Sequence, residues 1–283
     1  MSKLEFISSA SDFNLTDAFY LSKISELVYE DLDKIEDVLK EEYGLSKYKP
    51  FEVKETDTQA FLASNEDILV LAFRGTTSWA DWMTNFKIVM VSSSVGKVHS
   101  GFARSLNSIW DDVNDSILSG KDRNQTLWVA GHSLGGALAT LAVDRLTEEN
   151  SEIVDGLYTF GQPRVGDKQF ADNFDRKMKR HAFRLVDDED IVTKIPIPPG
   201  YRHIGTEYFI NNKGLLSKNN NFWEWFRSCS ESVAIRSSDD ANKYRAQNPG
   251  GIRDHGASYY SKYLYQNLQK KRKSPFLSYI NGA

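Results

Sequence analysis

Cysteine is nearly absent from this chain of 283 residues, which contains Cys229 alone. An intrachain disulfide is therefore impossible, and the fold cannot depend on oxidation. The sequence has no run of about 18 apolar residues and so predicts no transmembrane segment. Its N-terminus has no apolar stretch followed by a small-residue cleavage site. This pattern favours a protein that is cytoplasmic as made, with signal-independent export left open.

Positive charge and metal-binding patterns are also lacking. The formal net charge is -4, which argues against a nucleic-acid partner, because such a partner favours a basic face. No Cys/His cluster has the spacing of a zinc site, and no glycine-rich loop is of the kind that cradles phosphate. We therefore expect no metal and no cofactor. Hydrophobic residues make up 40%, enough for a sizeable core, and we predict a single domain over residues 1–283.

Strands alternate with helices after Pro50. Residues 68–73, 127–130 and 157–160 are continuous apolar runs, typical of strands that are covered on both faces. An alanine- and leucine-rich helix is predicted over residues 134–146. This alternation predicts an α/β fold with a mostly parallel central sheet and helices on both faces.

Two helices can be predicted in more detail. Apolar residues recur at helical spacing after Thr16, which we predict as the N-cap of the first helix. One further helix is predicted after Gly101, with a single apolar face formed by Phe102, Leu106, Ile109, Val113 and Ile117.

The strongest chemical signal is Gly131-His132-Ser133-Leu134-Gly135, which fits the pattern G-x-S-x-G. A buried strand precedes it and a helix follows, as a nucleophile on a sharp strand-to-helix turn requires. The glycines leave room for the tight turn, and the helix start directs amide hydrogens at a reacting carbonyl. Ser133 is therefore predicted to be the nucleophile.

A serine hydroxyl needs a base, and histidine is the usual one. In this type of fold the acid and then the histidine follow the serine, which leaves His203 and His255 as late candidates. His255 precedes the last predicted helix and is the favoured base, whereas His203 is expected to have a structural role. The acid should follow the strand predicted over residues 183–186, and spacing does not choose among the four acidic residues 187–190.

Several stretches together resemble the class 3 lipases, the fungal triacylglycerol lipase-like group of the α/β-hydrolase superfamily. They occur in the family's order over roughly residues 60–262, which makes the combination highly specific. The matching stretches are Phe73-Arg74-Gly75-Thr76, Lys97-Val98-His99-Ser100-Gly101-Phe102, the serine motif, Gly161-Gln162-Pro163-Arg164-Val165-Gly166-Asp167, Asp190-Ile191-Val192, and Asp254-His255 before Ser258-Tyr259-Tyr260.

The resemblance implies a role for several of these residues. Asp190 would be the acid and His255 the base of a Ser-His-Asp triad. Thr76 would form the oxyanion hole through its backbone amide and hydroxyl, together with the amide of Leu134. Taken alone, Thr76 would be a turn residue just past the end of a strand.

An apolar stripe follows Thr76 at helical spacing, formed by Trp79, Trp82, Met83 and Phe86. Class 3 lipases have their lid at this place, so residues 77–90 are the predicted lid, and interfacial activation is expected. The alternative is a helix that packs permanently into the core. Residues 211–251 form a long polar insertion whose aromatic residues pack as a local core or form a second apolar wall of the substrate site.

The implied function is that of a lipase, a serine carboxylic ester hydrolase that cleaves acyl esters of glycerolipids through an acyl-enzyme. Its substrate would be a lipid ester at an oil or membrane interface. A phospholipase A1 or galactolipase activity is the near alternative, and a feruloyl-type esterase a more distant one. An inactive lipase-fold binding protein is a further alternative, against which the complete triad argues.

Overall fold

The computed structural model describes most of the chain, namely residue 6 and residues 12–76, 88–149, 154–188, 190–196, 200–218 and 255–273. The predicted lid stripe, formed by Trp79, Trp82, Met83 and Phe86, lies outside the described residues. So do residues 219–251 of the predicted insertion.

The centre of the described part is an eight-stranded sheet in the order β1-β2-β3-β6-β7-β8-β9-β10, and β4 and β5 form a separate hairpin. The five strands from β3 to β9 are parallel, whereas β1, β2 and β10 pair antiparallel at the edges. The mostly parallel sheet predicted from the sequence is therefore confirmed. The strands are β1 (Lys47–Val53), β2 (Thr58–Ser64), β3 (Ile68–Phe73), β4 (Met90–Ser92), β5 (Lys97–His99), β6 (Thr126–His132), β7 (Gly156–Phe160), β8 (Ala182–Asp187), β9 (Thr206–Ile210) and β10 (Leu216–Lys218).

Helices cover both faces of the sheet, as the sequence predicts. They are α1 (Leu15–Leu27), α2 (Leu32–Val38), α3 (Ser100–Asn107), α4 (Trp110–Gly120), α5 (Leu134–Glu149), α6 (Lys168–Met178) and α7 (Ala257–Lys273). Helix α1 packs against α7, β6 and β7, whereas α5 packs against α3, β3 and β6. Shorter turns are the π-helical Leu39–Tyr43 and the 3₁₀ turns Lys54–Thr56 and Val192–Lys194.

Two apolar cores lie on the two faces of the sheet, and β3 contributes to both. Its residues Leu69, Leu71 and Phe73 pack with α3 to α6, whereas Ile68 and Val70 pack with α1 and α7. Successive side chains of a strand point to opposite faces. A strand that is covered on both sides must therefore be apolar at every position, as the sequence of β3 is.

The predicted N-cap of the first helix is wrong. Helix α1 begins at Leu15, and the side chain of Asn14 accepts hydrogen bonds from the backbone amides of Thr16 and Asp17, at 2.8 and 3.3 Å. Asn14 is in extended backbone conformation, and its own N–H donates to the hydroxyl of Tyr158 in β7, at 3.1 Å. A contact to the sheet thus determines where this helix begins.

The single helix predicted after Gly101 is also wrong, because α3 and α4 are separate. Ile109 between them has φ -124° and ψ 0°, which is not helical. The hydroxyl of Ser108 donates to the carbonyl of Ser105 at 2.7 Å and bonds Thr56 at 2.8 Å. A serine that bonds the backbone one turn back competes with the helical ladder, so the apolar face continues across a break.

Candidate active site

Ser133 occupies the sharp turn between β6 and α5. Its φ of +59° lies in the left-handed region, which is uncommon for residues other than glycine. The backbone N–H of Ser133 donates to the carbonyl of Phe160 in the neighbouring strand, at 2.9 Å, and this bond holds the strained turn. The hydroxyl is buried and has no hydrogen-bond partner within the described ranges.

The glycines on either side of this turn are required by space. A Cβ at Gly131 would overlap the backbone of Gly135, and a Cβ at Gly135 would overlap the carbonyl of Phe73 at the end of β3. The first turn of α5 therefore lies directly against the ends of two strands. This close approach brings the segment that leaves β3 next to the Ser133 turn.

Thr76 lies in the segment that follows β3, next to this turn. The preceding residue, Gly75, lies so close that a Cβ on it would be 3.2 Å from the Cβ of Ser133 and 2.8 Å from the carbonyl of His132. Leu134 is the first residue of α5, where backbone amides have no partner within the helix. The structure thus brings both predicted oxyanion-hole residues next to the Ser133 turn.

Asp190 and His255 form a buried pair. His255 Nδ1 lies 2.8 Å from Asp190 Oδ2, and both residues are buried. A carboxylate oxygen accepts, so Nδ1 is the ring nitrogen that donates, and Nε2 then carries the lone pair in the neutral ring. Asp190, one of the four acidic residues that the sequence left open, therefore contacts His255.

Two further groups hold the Asp190 carboxylate. The hydroxyl of Tyr260 in α7 donates to Oδ2 at 2.6 Å, and the backbone N–H of Val192 donates to Oδ1 at 2.8 Å. Tyr260 in turn accepts the backbone N–H of Asp187, at 3.1 Å. Burial and the neighbouring carboxylates raise the pKa of Tyr260 well above its ordinary value, so it remains a donor.

Gly161, directly after β7, leaves free the space that this pair occupies. Its φ is +62°, and a Cβ there would lie 2.6 Å from Asp190 Oδ2 and 3.0 Å from the His255 ring. Gly161 and Tyr260 lie within the stretches that resemble the class 3 lipases, but the sequence alone indicated no role for either residue. The signal that could have found Tyr260 is its place in the first turn of the helix that follows His255.

The loop after Asp190 is held by two side chains. The guanidinium of Arg164 donates to the carbonyls of Lys194 and of Pro196, the latter at 2.9 Å. His203 Nε2 bonds the carbonyl of Thr193 at 2.7 Å. Burial, followed by Arg184 and Arg164, lowers the pKa of His203 well below its ordinary value. His203 therefore contacts the acid loop as a neutral ring and lies outside the pair with Asp190.

Three apolar side chains that follow the predicted lid stripe in the sequence are exposed to solvent. Ile88, Val89 and Val91 are 62%, 51% and 39% exposed.

In the described part of the chain, no group of three or more His, Cys, Asp or Glu side chains could hold a metal ion. None of the described helices is long and apolar enough to span a membrane.

Residues 70–199 match the family model of lipase (class 3). Over these residues the chain is similar to the class 3 lipases. A secreted mono- and diacylglycerol lipase of Fusarium solani is 34% identical over 157 residues, which are 53% of this chain and 46% of that protein. The chain thus spans about half the length of the curated relatives it matches.

Solved lipase structures share the fold. The triacylglyceride lipase of Rhizomucor miehei superposes with a TM-score of 0.64 at 26% identity, over 80% of this chain and 92% of that one. A triacylglycerol lipase whose catalytic centre is formed by a serine protease triad superposes with a TM-score of 0.62 at 28% identity, over 80% and 92%. The predicted resemblance to the class 3 lipases and the α/β-hydrolase fold are both confirmed.

The expected cytoplasmic location is wrong. The similar lipases of Fusarium solani and Penicillium cyclopium are secreted enzymes, which points to an extracellular location. The lack of an apolar stretch at the start of the sequence did not predict the location, because a targeting segment is separate from the folded domain.

Proposed function

We propose that this protein is a serine carboxylic ester hydrolase, a lipase that cleaves acyl esters of glycerolipids. The observation that carries the proposal is the buried hydrogen bond between His255 and Asp190, beside the strained turn that bears Ser133. The ring of His132, the residue before Ser133, lies 4.6 Å from the ring of His255. The proposed nucleophile, base and orienting acid therefore lie close together, as this chemistry requires.

In the proposed reaction, Ser133 Oγ attacks the ester carbonyl carbon while His255 Nε2 takes the hydroxyl proton. The hydrogen bond between these two atoms is expected to close when substrate is bound. Asp190 holds the Nδ1–H tautomer and stabilises the imidazolium that forms. His255 then gives the proton to the leaving alcohol, and water releases the acyl group from Ser133 by the same steps.

The tetrahedral intermediate bears a negative charge on the former carbonyl oxygen. We propose that the backbone amides of Thr76 and Leu134 donate to this oxygen, with the Thr76 hydroxyl as a third donor. Leu134 is suited to this role by its place at the start of α5, where the helix dipole favours negative charge. Donors of this kind are each worth about 10²- to 10³-fold in kcat.

The predicted lid over residues 77–90 and the insertion over residues 211–251 remain part of this proposal, within a single domain. The exposed Ile88, Val89 and Val91 support it, because they form an apolar surface directly after the predicted lid stripe in the sequence. Such a surface suits a lipid ester at an oil or membrane interface. The secreted relatives support an extracellular site of action.

The test is Ser133→Ala, with Ser22→Ala as the matched control. Ser22 is a buried serine of α1 whose hydroxyl donates to the carbonyl of Phe19, at 2.7 Å, away from the site. Ser133→Ala should lower kcat by about 10⁴- to 10⁶-fold and abolish labelling by a fluorophosphonate. If Ser133→Ala keeps more than a tenth of the activity, the proposal is wrong, and an unlabelled wild-type protein would indicate an inactive lipase fold.

The substrate class needs a hydrolysis panel. Triacylglycerol, monoacylglycerol, phospholipid, galactolipid, feruloyl ester and short soluble esters should be compared on one preparation. We expect the acylglycerols to be cleaved fastest. A higher kcat/KM on the phospholipid or galactolipid would favour phospholipase A1 or galactolipase activity, and one on the feruloyl ester would favour the esterase alternative.

A further inference from the structure

Two side chains beside the Ser133 turn, one half-buried and one buried, have no part in the proposed reaction. They are Tyr29, which follows α1, and His132, which precedes Ser133. The hydroxyl of Tyr29 lies 2.9 Å from His132 Nδ1, and His132 Nε2 lies 2.5 Å from the backbone carbonyl of His255. His132 therefore has a hydrogen-bond partner at each ring nitrogen, and one partner is the backbone of the proposed base.

The direction of these bonds follows from the charge of His132. Burial and the nearby His255 lower the pKa of His132 well below its ordinary value, so the ring is neutral and has one N–H. The His255 carbonyl can only accept, which assigns that N–H to Nε2. Nδ1 must then accept from the Tyr29 hydroxyl. Burial also raises the pKa of Tyr29, which keeps this hydroxyl protonated.

Tyr29 is in turn tied to the segment that leads to Thr76. The Tyr29 hydroxyl lies directly against Gly75, since a Cβ on Gly75 would be 2.2 Å from it. A continuous chain of contacts thus runs from Gly75 to Tyr29 and on, through hydrogen bonds, to His132 and His255. It joins four segments of the chain that are far apart in sequence.

We infer that Tyr29 and His132 are positioning residues, which hold the oxyanion segment, the nucleophile turn and the base in register. The inference rests on the proposed function, and neither residue is assigned contact with the reacting atoms. The side chain of His255 is anchored by Asp190, and its backbone is anchored by His132. Two anchors define where the ring lies, whereas Asp190 alone would let it pivot.

The first experiment is Tyr29→Phe, which keeps the ring and removes the hydroxyl. A displacement of about 1 Å at a reacting group can cost about 100-fold in rate. We expect kcat on a short soluble ester to fall by about 10- to 100-fold with KM within about twofold, and fluorophosphonate labelling to slow by the same factor. A side chain that only supports the fold would not lower kcat selectively at an unchanged melting temperature.

Tyr20→Phe is the matched control. Tyr20 is a buried tyrosine of α1 whose hydroxyl donates to the carbonyl of Tyr43, at 3.3 Å. Tyr20→Phe removes a hydroxyl from the same apolar core, as Tyr29→Phe does, but this hydroxyl has no link to the Ser133 turn. This variant should keep the wild-type kcat. If Tyr29→Phe changes kcat no more than Tyr20→Phe does, the inference is wrong.

His132 can be tested at each nitrogen separately. His132→Gln keeps an N–H donor near the place of Nε2, whereas His132→Asn has an amide near the place of Nδ1 only. We expect the Gln variant to retain more of kcat, because it can still hold the His255 carbonyl. Adding Tyr29→Phe to His132→Asn should lower kcat little further, since the relay is already broken. Fully additive losses would contradict a relay.

A readout without substrate separates the two proposals. Long-range ¹H–¹⁵N spectra of the histidine rings should show His132 as the Nε2–H tautomer, and Tyr29→Phe should shift its Nδ1 resonance. Another tautomer, or no shift, would overturn the inference. A wild-type protein that cleaves no ester would overturn the proposed function and this inference with it, whereas an active protein insensitive to Tyr29→Phe would overturn the inference alone.

Discussion

Replacing Asp190 by asparagine tests the chemistry of the buried pair while changing almost no volume. The carboxylate accepts three hydrogen bonds, from His255 and Tyr260 at Oδ2 and from the Val192 amide at Oδ1. An asparagine side chain has one oxygen and one NH₂ group, so it cannot accept at both positions. Either His255 or Val192 must therefore face a donor.

The cost depends on which way the amide turns. With its oxygen toward Val192, the NH₂ group faces His255 Nδ1, and the ring adopts the tautomer whose Nε2 cannot take a proton. With its oxygen toward His255, the buried Val192 N–H loses its acceptor, which costs about 1–3 kcal/mol. The loss of this one bond corresponds to a factor of about 5 to 150.

A second loss adds to the first, because asparagine has no negative charge to stabilise the imidazolium. Together we expect kcat to fall by about 10⁴-fold, or about 5.4 kcal/mol in activation free energy. The assay is kcat on a short soluble ester, with circular dichroism to verify folding and ring ¹⁵N spectra to identify the His255 tautomer.

Asp188→Asn is the matched control, with the same chemical change two residues earlier in the same loop, and it should be mild. The reasoning is refuted if Asp190→Asn loses less than about fivefold. It is refuted as well if Asp188→Asn proves the more severe change, because the pairing with His255 would then belong to another carboxylate.

Three further predictions concern the lid, the packing around the pair and the first helix. The double variant Trp79→Ser with Trp82→Ser should lose activity on emulsions and keep it on short soluble esters, and wild-type activity should rise once substrate passes its solubility limit. An equal loss on both kinds of substrate would show that the stripe packs in the core and is not a lid. Gly161→Ala should lower kcat at least tenfold and destabilise the fold by about 1–3 kcal/mol, since its Cβ would meet Asp190 and His255; an active, stable variant in thermal and kinetic assays would contradict this crowding. Asn14→Ala should lower the free energy of unfolding by about 0.5–2 kcal/mol through loss of the N-cap, with kcat unchanged, whereas Thr16→Ala should cost less in the same denaturant titration.

Local patterns in the sequence predicted much of the fold. The run 68–73 is apolar at every position because β3 is covered on both faces, and the strand, Ser133 turn and helix follow one another directly along the chain. Prediction was wrong where a tertiary contact changed a local preference. The sheet residue Tyr158 bonds Asn14 at the start of α1, and Ser108 ends a helix whose apolar periodicity continues.

By itself, the sequence predicted the resemblance to the class 3 lipases, the alternation of strands and helices, and Ser133 as the candidate nucleophile, because each prediction depends on residues that are neighbours along the chain. It left four acidic residues open as partners of the histidine. The tertiary structure brings Asp190 to His255 across 65 positions, and Tyr29 to His132 across 103. Hydrogen bonds between groups so distant in sequence depend on how the strand ends meet at one edge of the sheet, and no local pattern encodes that geometry.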